Sequence, residues 1–164
     1  MKRARIGIIA VAMIAVAAVA FAQKPDFSGT WTLDEAASGA TAPPAGGGGG
    51  GGGRGGGALG NGPATVKQTA DSITIERTQG ENKIVNTYKL DGSESKNTNP
   101  GRGGPVESVS VAKLDGGTLT ITTKQDMGNG PMETTSKWTL TGGALTVETT
   151  NARGTQKRVY KKTT

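Results

Sequence analysis

The chain has 164 residues, with 19 basic and 13 acidic side chains and neither Cys nor His. Those absences remove disulfide staples, thiol nucleophiles, the usual general base near neutral pH and the commonest transition-metal ligands. No metal, no cofactor and no catalytic activity is therefore expected. The acidic residues are scattered, and no pair of them has the spacing of an acid/base motif.

In chain order, residues 1–22 read as a signal peptide. Lys2, Arg3 and Arg5 precede an apolar run over 6–19, and Ala20-Phe21-Ala22 supplies a small-x-small cleavage site. The run is short against the ~20 residues a membrane span needs, so no stable anchor is expected after cleavage. No Cys follows it to carry a lipid. The expected product begins at Gln23 and is exported, periplasmic or secreted. Losing the leader removes three basic residues from a net charge of +6, and with them most of the case for nucleic-acid binding.

Residues 23–164 suit one domain. The first predicted strand is 28–33, followed by a glycine-rich insertion, 36–62, whose unbroken run Gly46 to Gly53 cannot bury enough apolar surface to offset its chain entropy. A lone strand is not a domain, so the insertion lies within one fold. Downstream, β-branched and polar residues alternate between turn signals, predicting strands at 65–68, 72–77, 83–90, 106–114, 118–125, 133–141, 144–150 and 156–161. Residues 91–105 carry four Gly and two Pro and read as a second mobile loop. No segment after the leader reads as a convincing helix.

The separators between strands are short, as in antiparallel neighbours. About nine strands in up-and-down order would leave two exposed edges as an open sheet, and closure removes both. The expected fold is all-β: a closed antiparallel up-and-down barrel of about eight to ten strands, with a polyglycine loop after the first. A two-sheet sandwich needs longer crossovers than these turns allow. Period two places Ile73 with Ile75, Asn86 with Tyr88, Leu119 with Ile121, Trp138 with Leu140, and Leu145 with Val147. The apolar stripes are thin and Thr fills the remainder, so the interior is either small or partly lined by hydroxyls.

Phe27-Ser28-Gly29-Thr30-Trp31-Thr32-Leu33 resembles the first-strand motif of the calycins, which include lipocalins and fatty-acid-binding proteins. Asp71-Ser72-Ile73-Thr74-Ile75, Leu114-Asp115-Gly116-Gly117-Thr118-Leu119, Ala144-Leu145-Thr146-Val147-Glu148 and Arg158-Val159-Tyr160 follow in an order similar to the fatty-acid-binding branch. The whole also resembles small exported bacterial lipocalin-like proteins of undefined role. The likeness implies a ligand carboxylate held by Arg158 and Tyr160. It also has departures: polyglycine stands where a helical lid is expected, Trp138 stands where a second Arg is expected, and export is atypical of that branch.

Arg158 and Tyr160, two apart, share a strand face. The pair suits a ligand carboxylate. Alternatively, Arg158 stacks on Trp31 beside Gly29 to close the barrel, and this role is favoured because a buried Arg otherwise needs an anion. Trp138, Tyr88 and Tyr160 serve either as ligand-facing walls or as core. Arg54-Gly55-Gly56 and Arg102-Gly103-Gly104 read as solvated loops rather than RNA-binding segments. Two functions follow. One is an exported barrel binding a small apolar or amphipathic ligand such as a fatty acid. The other is a non-catalytic envelope or interaction protein whose barrel is filled by its own side chains. The sequence leaves the oligomeric state open.

Overall fold

The computed structural model describes residues 24–39, 58–101, 103–126, 128 and 130–163. The expected signal peptide, 1–22, and the polyglycine run fall outside them. The described residues form ten strands and one turn of helix: β1 (Gly29–Leu33), α1 (Glu35–Ser38), β2 (Ala64–Gln68), β3 (Ser72–Gln79), β4 (Asn82–Lys89), β5 (Asp91–Gly101), β6 (Gly104–Asp115), β7 (Thr118–Asp126), β8 (Pro131–Thr141), β9 (Ala144–Asn151) and β10 (Gly154–Thr163).

The strands make one antiparallel sheet in the order β4-β3-β2-β1-β10-β9-β8-β7-β6-β5. Pairing of β1 with β10, from Thr30 opposite Thr163 to Leu33 opposite Tyr160, brings the first and last of the described strands together. The result is an up-and-down barrel, as the alternation predicts. Between β4 and β5 one seam carries no backbone ladder. Side chains bridge it: Asn97 accepts from Thr87 N at 2.9 Å and donates to Thr87 O at 3.1 Å, while Ser95 Oγ accepts from Lys89 N at 2.9 Å.

Period-two burial drives the wrapping. On β4 the buried residues are Ile84, Asn86 and Tyr88; on β9 they are Leu145, Val147 and Thr149. Outward Thr side chains pair across strands, as Thr74 does with Thr87 and Thr122 with Thr135, at 3.1 and 3.2 Å. Such pairs contribute about 0.2–1 kcal/mol each. The tight turn Gly142-Gly143 between β8 and β9 has φ of 59° and 82°, the left-handed pair a two-residue hairpin requires.

Three expectations are corrected. Residues 91–105 are expected to be a loop, but 91–101 form β5 and 104–105 begin β6. The period of two is present there, but its inward residues Ser95, Asn97 and Asn99 are polar, so no hydrophobic alternation marks it. A helical turn, α1, does follow β1: Asp34 caps it by accepting from Ala37 N at 3.1 Å. Ser38 fixes α1 to β10 by accepting from Val159 N at 2.9 Å. Finally, within the 36–62 insertion Ala58 to Gly60 pack against the barrel, whereas Asn61 and Gly62 are exposed. Leu59 is 1% exposed and belongs to the core.

In an up-and-down barrel, alternate turns lie at opposite ends. One end holds the start of β1 and the turns after β2, β6 and β8. The other holds the end of β1, the start of β2 and the turns after β3, β7 and β9. They are called here the tryptophan end and the insertion end.

Candidate functional site

The inner stripes change character along the barrel axis. From the tryptophan end toward the insertion end, β7 presents Leu119 and Ile121, then Thr123 and Gln125; β8 presents Trp138, then Ser136 and Thr134. β9 runs from Leu145 and Val147 to Thr149 and Asn151, and β6 from Ala112 to Ser110 and Ser108. On β6 to β9 the lumen is thus apolar toward the tryptophan end and lined by hydroxyls and amides toward the insertion end, whereas β2 and β4 place the apolar Ala64 and Ile84 beside Arg77.

The apolar half is filled by the chain itself. Phe27 meets Trp138 edge-on, with ring centroids 6.0 Å apart. Trp31 Nε1 donates to Phe27 O at 2.8 Å, and Gln68 ties down the entering segment by accepting from Phe27 N and donating to Pro25 O, both at 2.9 Å. Gly29 has φ of +136°, and a Cβ there would meet the Lys162 side chain. That side chain runs instead across the Trp31 ring, with Nζ 5.6 Å from its centroid.

This corrects the expected closure contact. The cation over Trp31 is Lys162, opposite it in register, rather than Arg158. Lys162 reaches the ring from the exposed end of β10, so it keeps its ammonium near water.

Arg158 lies deeper, 1% exposed, at the boundary of the two halves. It stands opposite Val147, which stands opposite Trp138. Arg158 Nη1 donates to Asn61 Oδ1 at 2.7 Å, and Tyr160 Oη donates to Gly60 O at 2.8 Å. Arg158 Nε and Nη2, which form the fork edge that grips an oxyanion, are buried without an acceptor. Trp138 Nε1 is likewise buried and unpartnered.

Three strands along the sheet from β10, Arg77 points inward from β3, after Ile73 and Ile75. Burial pulls the Arg77 guanidinium below its ordinary range, opposed by the hydroxyls of Tyr88 and Tyr160. Burial pushes the Tyr88 hydroxyl up to about 12, against the pull of Arg77. Tyr160 is also raised by burial, with Arg158 and Arg77 opposing. These two tyrosines and two arginines therefore share one electrostatic neighbourhood. No acidic residue on the ten strands is buried; Glu76, the least exposed, pairs outside with Lys67 at 2.7 Å and Lys83 at 3.1 Å. Among the described residues no three acidic side chains converge as metal ligands.

Of the residues singled out by sequence, Arg158, Tyr160, Trp138 and Tyr88 all face the interior, and Gly29 and Trp31 lie at its closed end. Sequence reading missed Arg77, Gly60 and Asn61. The period of two carries past Ile73 and Ile75 to Arg77, so its inward direction was available. Gly60 and Asn61 lie inside a segment judged by its glycine content, which says nothing about which residues dock.

No protein-family model matches the sequence, and a search of curated proteins finds no relative. Solved structures do match. Secretory abundant heat soluble protein 4 from Ramazzottius varieornatus aligns with a TM-score of 0.54 at 24% identity, over 84% of this chain and 94% of that one. A variant of the fluorescent protein UnaG aligns with a TM-score of 0.54 at 23% identity, over 84% of this chain and 96% of that one. Fatty-acid-binding protein 1 of Echinococcus granulosus aligns at 0.48 and 17% identity, over 62% of this chain and 71% of that one. The fold is that of the first two of these proteins.

Proposed function

Taking a calycin-like barrel with a buried guanidinium on its last strand as premise, we propose that this protein is a non-catalytic carrier of a small anionic or amphipathic ligand, a fatty acid being the simplest case. The observation that carries this reading is Arg158: fully buried, bonded on one edge to Asn61, with Nε and Nη2 lacking an acceptor. A buried charge of this kind is costly unless something compensates it. Trp138 Nε1 is a further buried donor without an acceptor. Binding outside the cytoplasm, read from the leader, is part of the proposal. Cell fractionation with N-terminal sequencing tests it, with Gln23 expected as the first residue.

A second reading has its own observation. Gly60 O and Asn61 Oδ1 already take hydrogen bonds from Tyr160 and Arg158, in the manner of a head group supplied by the chain. On this reading the barrel is self-filled and the protein works through its outer surface. Native mass spectrometry of protein purified from its host separates the two. A bound small molecule, together with displacement of a fluorescent fatty acid that weakens about tenfold or more in Arg158→Leu, supports the carrier. A ligand-free mass with no displacement supports the self-filled barrel.

A further inference from the structure

Arg77 is a second interior guanidinium, and the proposed carrier role makes no use of it. It stands inward near the insertion-end limit of β3, in register with Ala64 and Ile84. Its Nε is buried without an acceptor, and it takes part in no ion pair among the described residues. Gly60 links it to Arg158. A Cβ at Gly60 would lie 3.5 Å from Arg77 Nη1, the Gly60 carbonyl accepts from Tyr160, and the next residue, Asn61, accepts from Arg158. Two cations therefore flank one short peptide, with no buried carboxylate on any strand to neutralise them.

Charge and lining then narrow the ligand. A singly charged head group would leave one of the two guanidiniums, Arg158 buried and Arg77 half-buried, uncompensated. A ligand body extending from Arg158 toward the insertion end runs along Ser136, Thr149 and Ser110, whose hydroxyls do not suit an acyl chain. The opposite direction is closed by Phe27, Trp31 and Trp138, each at most 2% exposed.

We infer that Arg77 and Arg158 form a two-guanidinium site for a compact, hydrophilic, doubly charged anion, either a dicarboxylate or a phosphate monoester, in preference to a long-chain acid. This rests on the reading that the barrel binds a ligand at Arg158, and it replaces the fatty acid with a more polar class.

Isothermal titration of the 23–164 chain with succinate, glucose 6-phosphate and laurate tests it, since the first two separate the sources of double charge. One or both dianions bind about tenfold or more tighter than laurate. Arg77→Met removes that preference while Arg158-dependent binding of laurate persists, and Arg77→Lys, which keeps the charge, retains much of it. Circular dichroism confirms that each variant is folded, and the Lys variant provides the comparison should the Met variant not fold. Laurate binding more tightly than both dianions, or equal losses for all three probes in Arg77→Met, overturns the two-cation site and leaves the broader carrier role standing. No binding of any probe, with no adduct on protein from the host, overturns both.

Discussion

The two halves of the lumen are built from the same strands by opposite means. At the tryptophan end, Phe27, Trp31, Trp138, Leu119 and Leu145 are almost wholly buried, and the indole of Trp31 is satisfied locally by Phe27 O. At the boundary and beyond, Arg158 and Arg77 hold donors without acceptors, among buried hydroxyls such as Ser110 and Ser136. One half holds the buried indoles and Phe27. The other carries unbalanced charge, which lowers stability unless a partner compensates it. Stability and binding are thus separated along one axis, and substitutions on the two sides should have opposite signs.

The largest effect is expected from Trp138→Ala, which removes a fully buried ring in contact with Phe27. The expected loss is about 3–5 kcal/mol by chemical denaturation; a loss below about 1 kcal/mol would dissolve the distinction between the halves. Next is alkaline pH. With the Tyr88 hydroxyl held at about 12 in the folded chain and near 10 when unfolded, only the unfolded state loses its proton between those values, so stability falls as pH rises through that window. The fall is about 2–3 kcal/mol, read from denaturation midpoints at pH 9 and pH 12, and Tyr88→Phe should flatten it.

Arg158→Leu should move the other way, raising stability by about 1 kcal/mol or leaving it unchanged, because it removes a desolvated cation with an incomplete set of partners. A clear drop in Tm would make Arg158 a structural brace and would merge it with the closed end. Gly29→Ala is expected to cost about 1–2 kcal/mol, since φ of +136° is strained for any other residue and the new methyl would displace Lys162 from Trp31. Smallest is Ser136→Ala, which loses a 3.3 Å contact with Thr149 and should shift stability by less than about 1 kcal/mol.

Most of the barrel was legible because alternation, short turns and the Gly29/Trp31 and Arg158/Tyr160 segments all point the same way. β5 was not, because its inward Ser95, Asn97 and Asn99 give a period without hydrophobicity, and Pro100 near its end suggests a loop. The candidate site was half legible. Period two fixes the direction of Arg158 and Tyr160, but which partner each finds depends on the path of a distant segment. Asn61 is 97 residues from Arg158, and no local pattern encodes that meeting. The stacking partner of Trp31 was misassigned for a related reason. Register, not motif, sets Lys162 opposite the indole, and Arg158, four residues earlier on β10, would need a register displaced by four to reach it.

The seam between β4 and β5 sets the order in which the barrel loosens. The amides of Thr87 and Lys89 donate to the Asn97 and Ser95 side chains, whereas β9 is laddered to backbone on both sides. A side-chain acceptor can leave by a rotamer change, without moving a strand. In hydrogen–deuterium exchange, the amides of Thr87 and Lys89 should therefore take up label well before those of β9, in motions that need no global unfolding.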